Sequence, residues 1–191
     1  MNRRKVDYLV KVKRAAQLLL LQRHLKPGVK GWELKRALGR KYLDVIKILD
    51  EELAKFGLKV KIVFRDDVDL NNVSREDYDR ALFVVTLREP TKTTDILTVG
   101  WRIDDVGALA AALAYVNSRG GFTRRRELED LLAEKLPRWR VDSLIDKFIR
   151  YGYLREDGGV IKIGWRAKAE IDFNMLSMLL LTSPTEASGE K

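Results

Sequence analysis

His24 is the one imidazole in 191 residues, and there is no cysteine. A catalytic imidazole needs a nucleophile and an orienting carboxylate beside it. Arg23 and Lys26 flank His24 instead, which marks a surface residue at a helix end. Disulfides, thiol nucleophiles and Cys/His zinc sites are excluded by composition. Asp66, Asp67 and Asp69 offer hard-cation ligand types, but their loop lacks the glycine and terminal glutamate of an EF-hand. It reads as a solvated segment. No glycine-containing stretch ends in Gly-Lys-Ser/Thr, so there is no P-loop, and Gly158-Gly159 reads as a hairpin turn. No set of nucleophile, base and orienter emerges. The expectation is a non-enzyme with no metal and no cofactor.

The chemistry left is that of cations. The net charge is +9, and it is unevenly spread. Residues 1–65 hold 18 Lys/Arg against 6 Asp/Glu, whereas residues 66–191 hold 19 against 22. A surplus this lopsided points to a polyanion-binding face, most often for nucleic acid. The clusters are Arg40, Lys41 and Lys47, then Lys59 and Lys61 with Arg65, then Arg124-Arg125-Arg126, then Arg138 and Arg140 with Lys147 and Arg150. Arginine suits phosphate because its planar fork makes paired charge-assisted hydrogen bonds. Asp44, Asp50, Glu51 and Glu52 share the stretch that holds Lys47 and would repel a duplex, so sequence-independent phosphate contacts are expected rather than base reading.

Elements must position these cations. Leu9, Val12, Ala16, Leu19 and Leu20 lie at helical spacing and predict an amphipathic helix over residues 6–24, ended by Pro27-Gly28. Residues 32–38 make a short second helix closed by Gly39. Residues 41–56 make a third, with Leu43, Ile46, Leu49, Leu53 and Phe56 inward. Val60, Ile62 and Phe64 alternate with Lys59, Lys61 and Val63, which is a strand. A polar, acidic loop over 66–79 leads to a second strand at 81–87. Three helices and a hairpin is the order of a winged helix, in which the third helix usually enters the major groove.

The order then repeats. Residues 90–102 read as a linker containing Pro90. Asp104 or Asp105 is placed to cap a helix reaching about Asn117, with Val106, Leu109, Ala110, Leu113 and Val116 inside. Thr123 is placed to cap residues 124–136, and Pro137 to start residues 138–150. Strands follow at 153–155 and 160–163. Residues 167–181 predict one further helix, and 183–191 a polar tail. The fold class is therefore α+β, mainly α: a tandem winged helix with units over 1–89 and 103–165, plus a C-terminal helix over 166–182. Trp32, Trp139 and Trp165, with Leu176 and Leu179, are candidates for a partner interface, where tryptophan is enriched.

Three stretches carry a family resemblance. Ala15-Ala16-Gln17-Leu18-Leu19-Leu20-Leu21, followed by Val29 and Glu33-Leu34, is one; Ile48-Leu49, Glu52-Leu53 and Phe56-Gly57-Leu58 form the second. The third is Gly164-x-Arg166-Ala167-x-Ala169-Glu170. Together they resemble the MAGE homology domain, shared by the melanoma antigens and non-SMC element three. The family tryptophan before that glycine is Ile163 here, and Trp165 follows the glycine. The resemblance implies two winged helices without catalysis. It implies a kleisin-type partner in an SMC complex, a second tandem winged-helix protein (in eukaryotes a RING ubiquitin-ligase component) and duplex DNA.

The expected function is that of a DNA- and protein-binding scaffold subunit in chromosome maintenance or repair. The alternative is a stand-alone winged-helix transcription regulator that binds duplex DNA as a homodimer. Apolar runs such as Leu18–Leu21 and Met178–Leu181 fall short of the ~18–20 residues of a membrane span. The basic opening Met1-Asn2-Arg3-Arg4-Lys5 lacks the apolar stretch of a signal peptide. A cytoplasmic location, at the nucleoid in a prokaryote, is expected. Few glutamines and many charges lean toward a thermophilic source.

Overall fold

The computed structural model describes residues 3–21, 28–65, 68–89 and 101–182. His24, Pro27, Asp66, Asp67, all of the expected linker but its last two residues (90–100) and the polar tail lie outside them. The chain divides into two compact units, Met1–Thr91 and Lys92–Lys191.

Unit A runs α1 (Arg3–Leu20), β1 (Val29–Lys30), α2 (Gly31–Leu38), α3 (Tyr42–Ala54), β2 (Leu58–Val63), α4 (Arg75–Arg80) and β3 (Leu82–Leu87). Its core joins Ala15, Leu18 and Leu19 of α1 to Leu34 and Leu38 of α2. Tyr42, Val45, Ile46, Leu49 and Leu53 of α3 and Phe83 of β3 complete it. Burying a side chain such as Phe83 contributes about 1.5–3 kcal/mol. The expected apolar faces are displaced. Leu9, Leu20 and Phe56 are exposed, while Ala15, Leu18, Tyr42 and Val45 are buried. Both helices carry more apolar residues than one face holds, and packing of α1 on α3 and β3 selects which are covered.

The sheet is antiparallel in the order β1-β3-β2, so the expected two-stranded hairpin has a third strand. Val29 pairs with Phe83 and Lys30 with Leu82. The expected loop between β2 and β3 contains α4. Ser74 caps it: Asp77 N donates to Ser74 Oγ at 3.2 Å, and Ser74 N donates back to the Asp77 carboxylate at 2.9 Å. This Ser-x-x-Asp box satisfies helix-start amides reciprocally. The α4 turn then docks on α2 and α3. Lys35 and the Tyr42 hydroxyl both donate to Asp79. A Cβ on Gly31 would lie 1.9 Å from the Tyr78 carbonyl oxygen, so only glycine fits where α2 meets α4.

Unit B runs α5 (Ile103–Ser118), β4 (Phe122–Arg124), α6 (Arg125–Ala133), α7 (Arg138–Arg150), β5 (Leu154–Asp157), β6 (Val160–Ile163), α8 (Trp165–Glu170) and α9 (Phe173–Thr182). The sheet order β4-β6-β5 repeats that of unit A strand for strand. Leu113, Val116, Leu128, Ile145, Phe148 and Ile161 form its centre. Three expectations change. Arg102, not Asp104 or Asp105, is the N-cap of α5, and Asp105 is buried inside it. Thr123 belongs to β4, and its hydroxyl donates to Glu127 at 2.8 Å rather than capping α6. The single C-terminal helix is two, because Ile171-Asp172 is non-helical. Asp172 accepts hydrogen bonds from the amides of Asn174 and Met175, starting α9 afresh. Among the described residues no helix is long and apolar enough to cross a membrane.

Each unit thus contains three helices and a three-stranded antiparallel sheet in winged-helix order, with α4 added between β2 and β3 of unit A and α8 and α9 after the sheet of unit B. The architecture is α+β, mainly α, with two winged-helix units and C-terminal helices.

Candidate nucleic-acid interface

In unit A the cations stand on three elements. Arg40 and Lys41 follow Gly39 in the α2–α3 turn, Lys47 lies on α3, and Lys59 and Lys61 lie on β2. Strand alternation sends Val60 and Ile62 to the core and Lys59 and Lys61 to the other face, opposite Thr86 and Val84. Lys59 Nζ donates to the Arg88 carbonyl at 3.4 Å. Arg40, Lys41, Lys47 and Lys61 are exposed, and none has an ion-pair partner among the described residues.

The acids of α3 divide into two kinds. Asp50 ties the helix to the sheet: it accepts from Val60 N at 2.7 Å and from Arg88 at 3.3 Å. Glu52 pairs with Lys55. Asp44 and Glu51 stay exposed on the stripe that carries Lys41 and Lys47. The exposed face of α3 therefore alternates in sign, and the concentrated positive charge sits at its start and on β2.

In unit B much of the positive charge is consumed. Arg125 donates to Glu129 at 2.7 Å, Asp146 at 2.9 Å and Glu156 at 2.9 Å, joining α6, α7 and β5. Partial burial opposes its charge, but the three carboxylates outweigh that and push its pKa further up. Arg140 donates to Asp105 at 3.0 Å and Asp104 at 3.3 Å, and those bonds likewise raise its pKa. Lys147 donates to Asp105 at 2.8 Å and stands 4.4 Å from the centre of the Trp101 ring. Asp105 is 6% exposed. Burial alone would raise its pKa; hydrogen bonds from Lys147 and Arg140 overcome that and hold it below the usual carboxylate range. Arg125 and Arg140 are thus structural pins and leave the candidate face. Arg138 makes only a 3.6 Å surface pair with Asp130. Arg124 and Arg126 are exposed and make no ion pair among the described residues. The outer face of α7 also presents Asp142 and Asp146.

The partner candidates separate similarly. Trp139 is 76% exposed and Trp32 48%, the latter with the Arg36 guanidinium over its ring. Trp165 packs against Gly152, and Leu176 packs on the core of unit B. The Leu179 side chain lies outside the described residues. Trp101 stacks on Phe148 and meets Tyr151 and Tyr153 edge-on, so it belongs to the fold.

The run Gly164-x-Arg166-Ala167-x-Ala169-Glu170 forms a joint. Gly164 N donates to the Tyr153 carbonyl at 2.8 Å and Arg166 N to the Gly152 carbonyl at 3.0 Å. Arg166 Nε and the Tyr153 hydroxyl both donate to Glu170, and the Arg166 guanidinium lies over the Tyr153 ring. Burial and that carboxylate push the Tyr153 pKa up.

No protein-family model and no curated protein sequence matches the chain. A chain of a solved structure described as the Nse1-Nse3-Nse4 complex is similar in fold, with a TM-score of 0.58 at 16% identity. The match covers 95% of this chain and 91% of that one. A likeness at this identity is one of fold, and it spans both winged-helix units.

Proposed function

We propose that this chain is a non-catalytic scaffold subunit of an SMC-kleisin type of assembly, binding partner proteins and duplex DNA. The observation that carries the reading is the fold likeness over nearly the whole length of a chain from a multi-subunit complex. The likeness takes in both winged-helix units, not one alone. The MAGE-like segments point the same way and imply a kleisin-type partner. Exposed Trp139 and Trp32 are the anchors proposed for protein contact.

The DNA face is assigned to Arg40, Lys41, Lys47, Lys59 and Lys61, with Arg124, Arg126 and Arg138 as a lesser patch. Its cations neutralise phosphates and release counterions. Exposed Asp44 and Glu51 on α3, and Asp142 on α7, oppose insertion of either third helix into a major groove. That counts against an operator-reading regulator. The test is capture of the tagged protein from its native lysate after nuclease digestion, read by mass spectrometry. Recovery of an SMC ATPase with a kleisin is expected. Recovery of the bait alone, with strong selection of one DNA sequence, would overturn the scaffold reading in favour of the regulator.

A further inference from the structure

We propose that the hollow between α1 and the α2–α3 turn of unit A is a seat for one phosphate group, supplied by the backbone of duplex DNA. This deepens the DNA-binding reading and rests on it. The hollow has a volume of about 210 Å³ and is lined by Tyr8, Lys11, Leu38, Gly39, Arg40, Lys41 and Val45. That is well above the ~10–15 Å³ a single water needs.

Three of the seven lining residues are cations and none is an acid. In unit B, by contrast, Arg125 and Arg140 are each held by carboxylates. Here Lys11, Arg40 and Lys41 have no ion-pair partner among the described residues. Like charges gathered without a counterion repel one another, and an anion placed among them removes that cost. The amides of Arg40 and Lys41 are not used by the turn, whose bonds run from Gly39 N to Lys35 O and from Tyr42 N to Gly39 O. Tyr8 adds a hydroxyl able to donate. Leu38 and Val45 close the floor of the hollow with buried apolar surface. A tetrahedral dianion or a phosphodiester suits this lining; a planar apolar ligand does not. Asp44 lies in the first turn of α3 outside the lining and sets the limit of the positive field.

Convergence on one phosphate has a consequence that scattered lysines do not share. The salt dependence of duplex binding falls by about 0.9 in slope for each phosphate released from contact. The triple variant Lys11→Gln, Arg40→Gln, Lys41→Gln should therefore lose about 0.9 of slope, where three separate contacts would lose about 2.7. Affinity for a random 20-base-pair duplex should fall roughly tenfold or more. Asp44→Asn should tighten binding. The measurement is fluorescence anisotropy across a salt series with the full chain. Thermal midpoints confirm that the variants fold. In parallel, inorganic phosphate is titrated into the isotope-labelled chain while the Gly39, Arg40 and Lys41 amide signals are followed.

A slope loss near 0.9 with saturable shifts that vanish in the triple variant supports the seat. An unchanged slope, or a loss near 2.7, overturns it while the DNA-binding reading stands. If the wild-type chain binds no duplex, the DNA-binding reading and the duplex source both fail. Phosphate shifts then leave a site for a free phosphate compound, and their absence removes the hollow as a site altogether.

Discussion

Arg125 and Arg126 are neighbours of the same type, and the structure gives them opposite roles. Arg125 is held by three carboxylates on α6, α7 and β5, whereas Arg126 is exposed without an ion pair among the described residues. Replacing either with glutamine removes one positive charge, so any general electrostatic effect on DNA is matched. Arg125→Gln loses three charge-assisted bonds and leaves Glu129, Asp146 and Glu156 to repel one another. A bond to a charged group contributes about 1.5–3 kcal/mol when sheltered, and exposed pairs about 0–1 kcal/mol. The three acids are 31%, 57% and 30% exposed, so about 1 kcal/mol each is appropriate. The loss should be about 2–4 kcal/mol, which for a domain of this size lowers the melting midpoint by about 10–20 °C. Arg126→Gln should stay within about 0.5 kcal/mol of wild type. Tryptophan fluorescence is the assay, because Trp101, Trp139 and Trp165 lie in unit B and only Trp32 in unit A. Anisotropy with a random duplex is read well below the midpoint. Arg125→Gln should melt early yet bind like wild type, and Arg126→Gln should melt normally and bind slightly more weakly. An Arg125→Gln protein that melts like wild type while losing DNA would refute the assignment of this arginine to the fold.

Two further outcomes follow from the same unit. Asp105→Asn should cost about 2–4 kcal/mol at pH 7 in urea unfolding, somewhat below a fully orphaned pair, because Arg140 keeps Asp104 and Lys147 keeps the Trp101 ring. Asp105 has a folded pKa below its unfolded value of about 3.9. Its stabilisation is therefore present above that value and lost as pH falls through the folded one, so wild type and variant should converge only once the pH has dropped below the folded value. Gly164→Ala would place a Cβ 2.2 Å from the Gly152 carbonyl oxygen, a backbone atom that cannot swing aside. A loss of about 2–4 kcal/mol is expected by thermal melting, and unchanged stability would remove the joint role given to this motif.

The element order was legible because the signals that define it are long-range patterns: helical periodicity, period-two alternation at Val60 and Ile62, and glycines at 39, 120, 121 and 152. The elements that were not legible are short. β1 has two residues and β4 three, too few to show alternation, so both sheets were expected with one strand fewer. α4 had a readable mark in Ser74-x-x-Asp77, hidden within a stretch dominated by acids and asparagines. Phe56 and Leu9 fit the helical pattern yet are exposed, since periodicity identifies an apolar face without saying which neighbour covers it. At the site, residue type identified cations but not their partners. Nothing near Arg125 in sequence signals Asp146 or Glu156, which arrive only through packing of α7 and β5.

That difference between owning a cation and having it available explains the charge asymmetry of the chain. Unit B spends Arg125, Arg140 and Lys147 on carboxylates that hold its own helices together. Among the described residues, unit A is fastened chiefly through Asp79 and Asp50 and leaves Arg40, Lys41, Lys47 and Lys61 exposed. A polyanion would therefore find its seat on unit A, even though arginine clusters are denser in unit B. The exposed acids on α3 then decide the mode of contact. A helix that alternates Lys41, Asp44, Lys47 and Glu51 along one stripe gains little by entering a groove walled with phosphates, whereas its cationic start and the β2 lysines can meet the backbone from outside. Contacts of that kind carry no sequence information. On the proposed reading they would hold any duplex and weaken steeply with salt. Such contacts fit the proposed scaffold better than an operator-reading regulator, which needs base contacts.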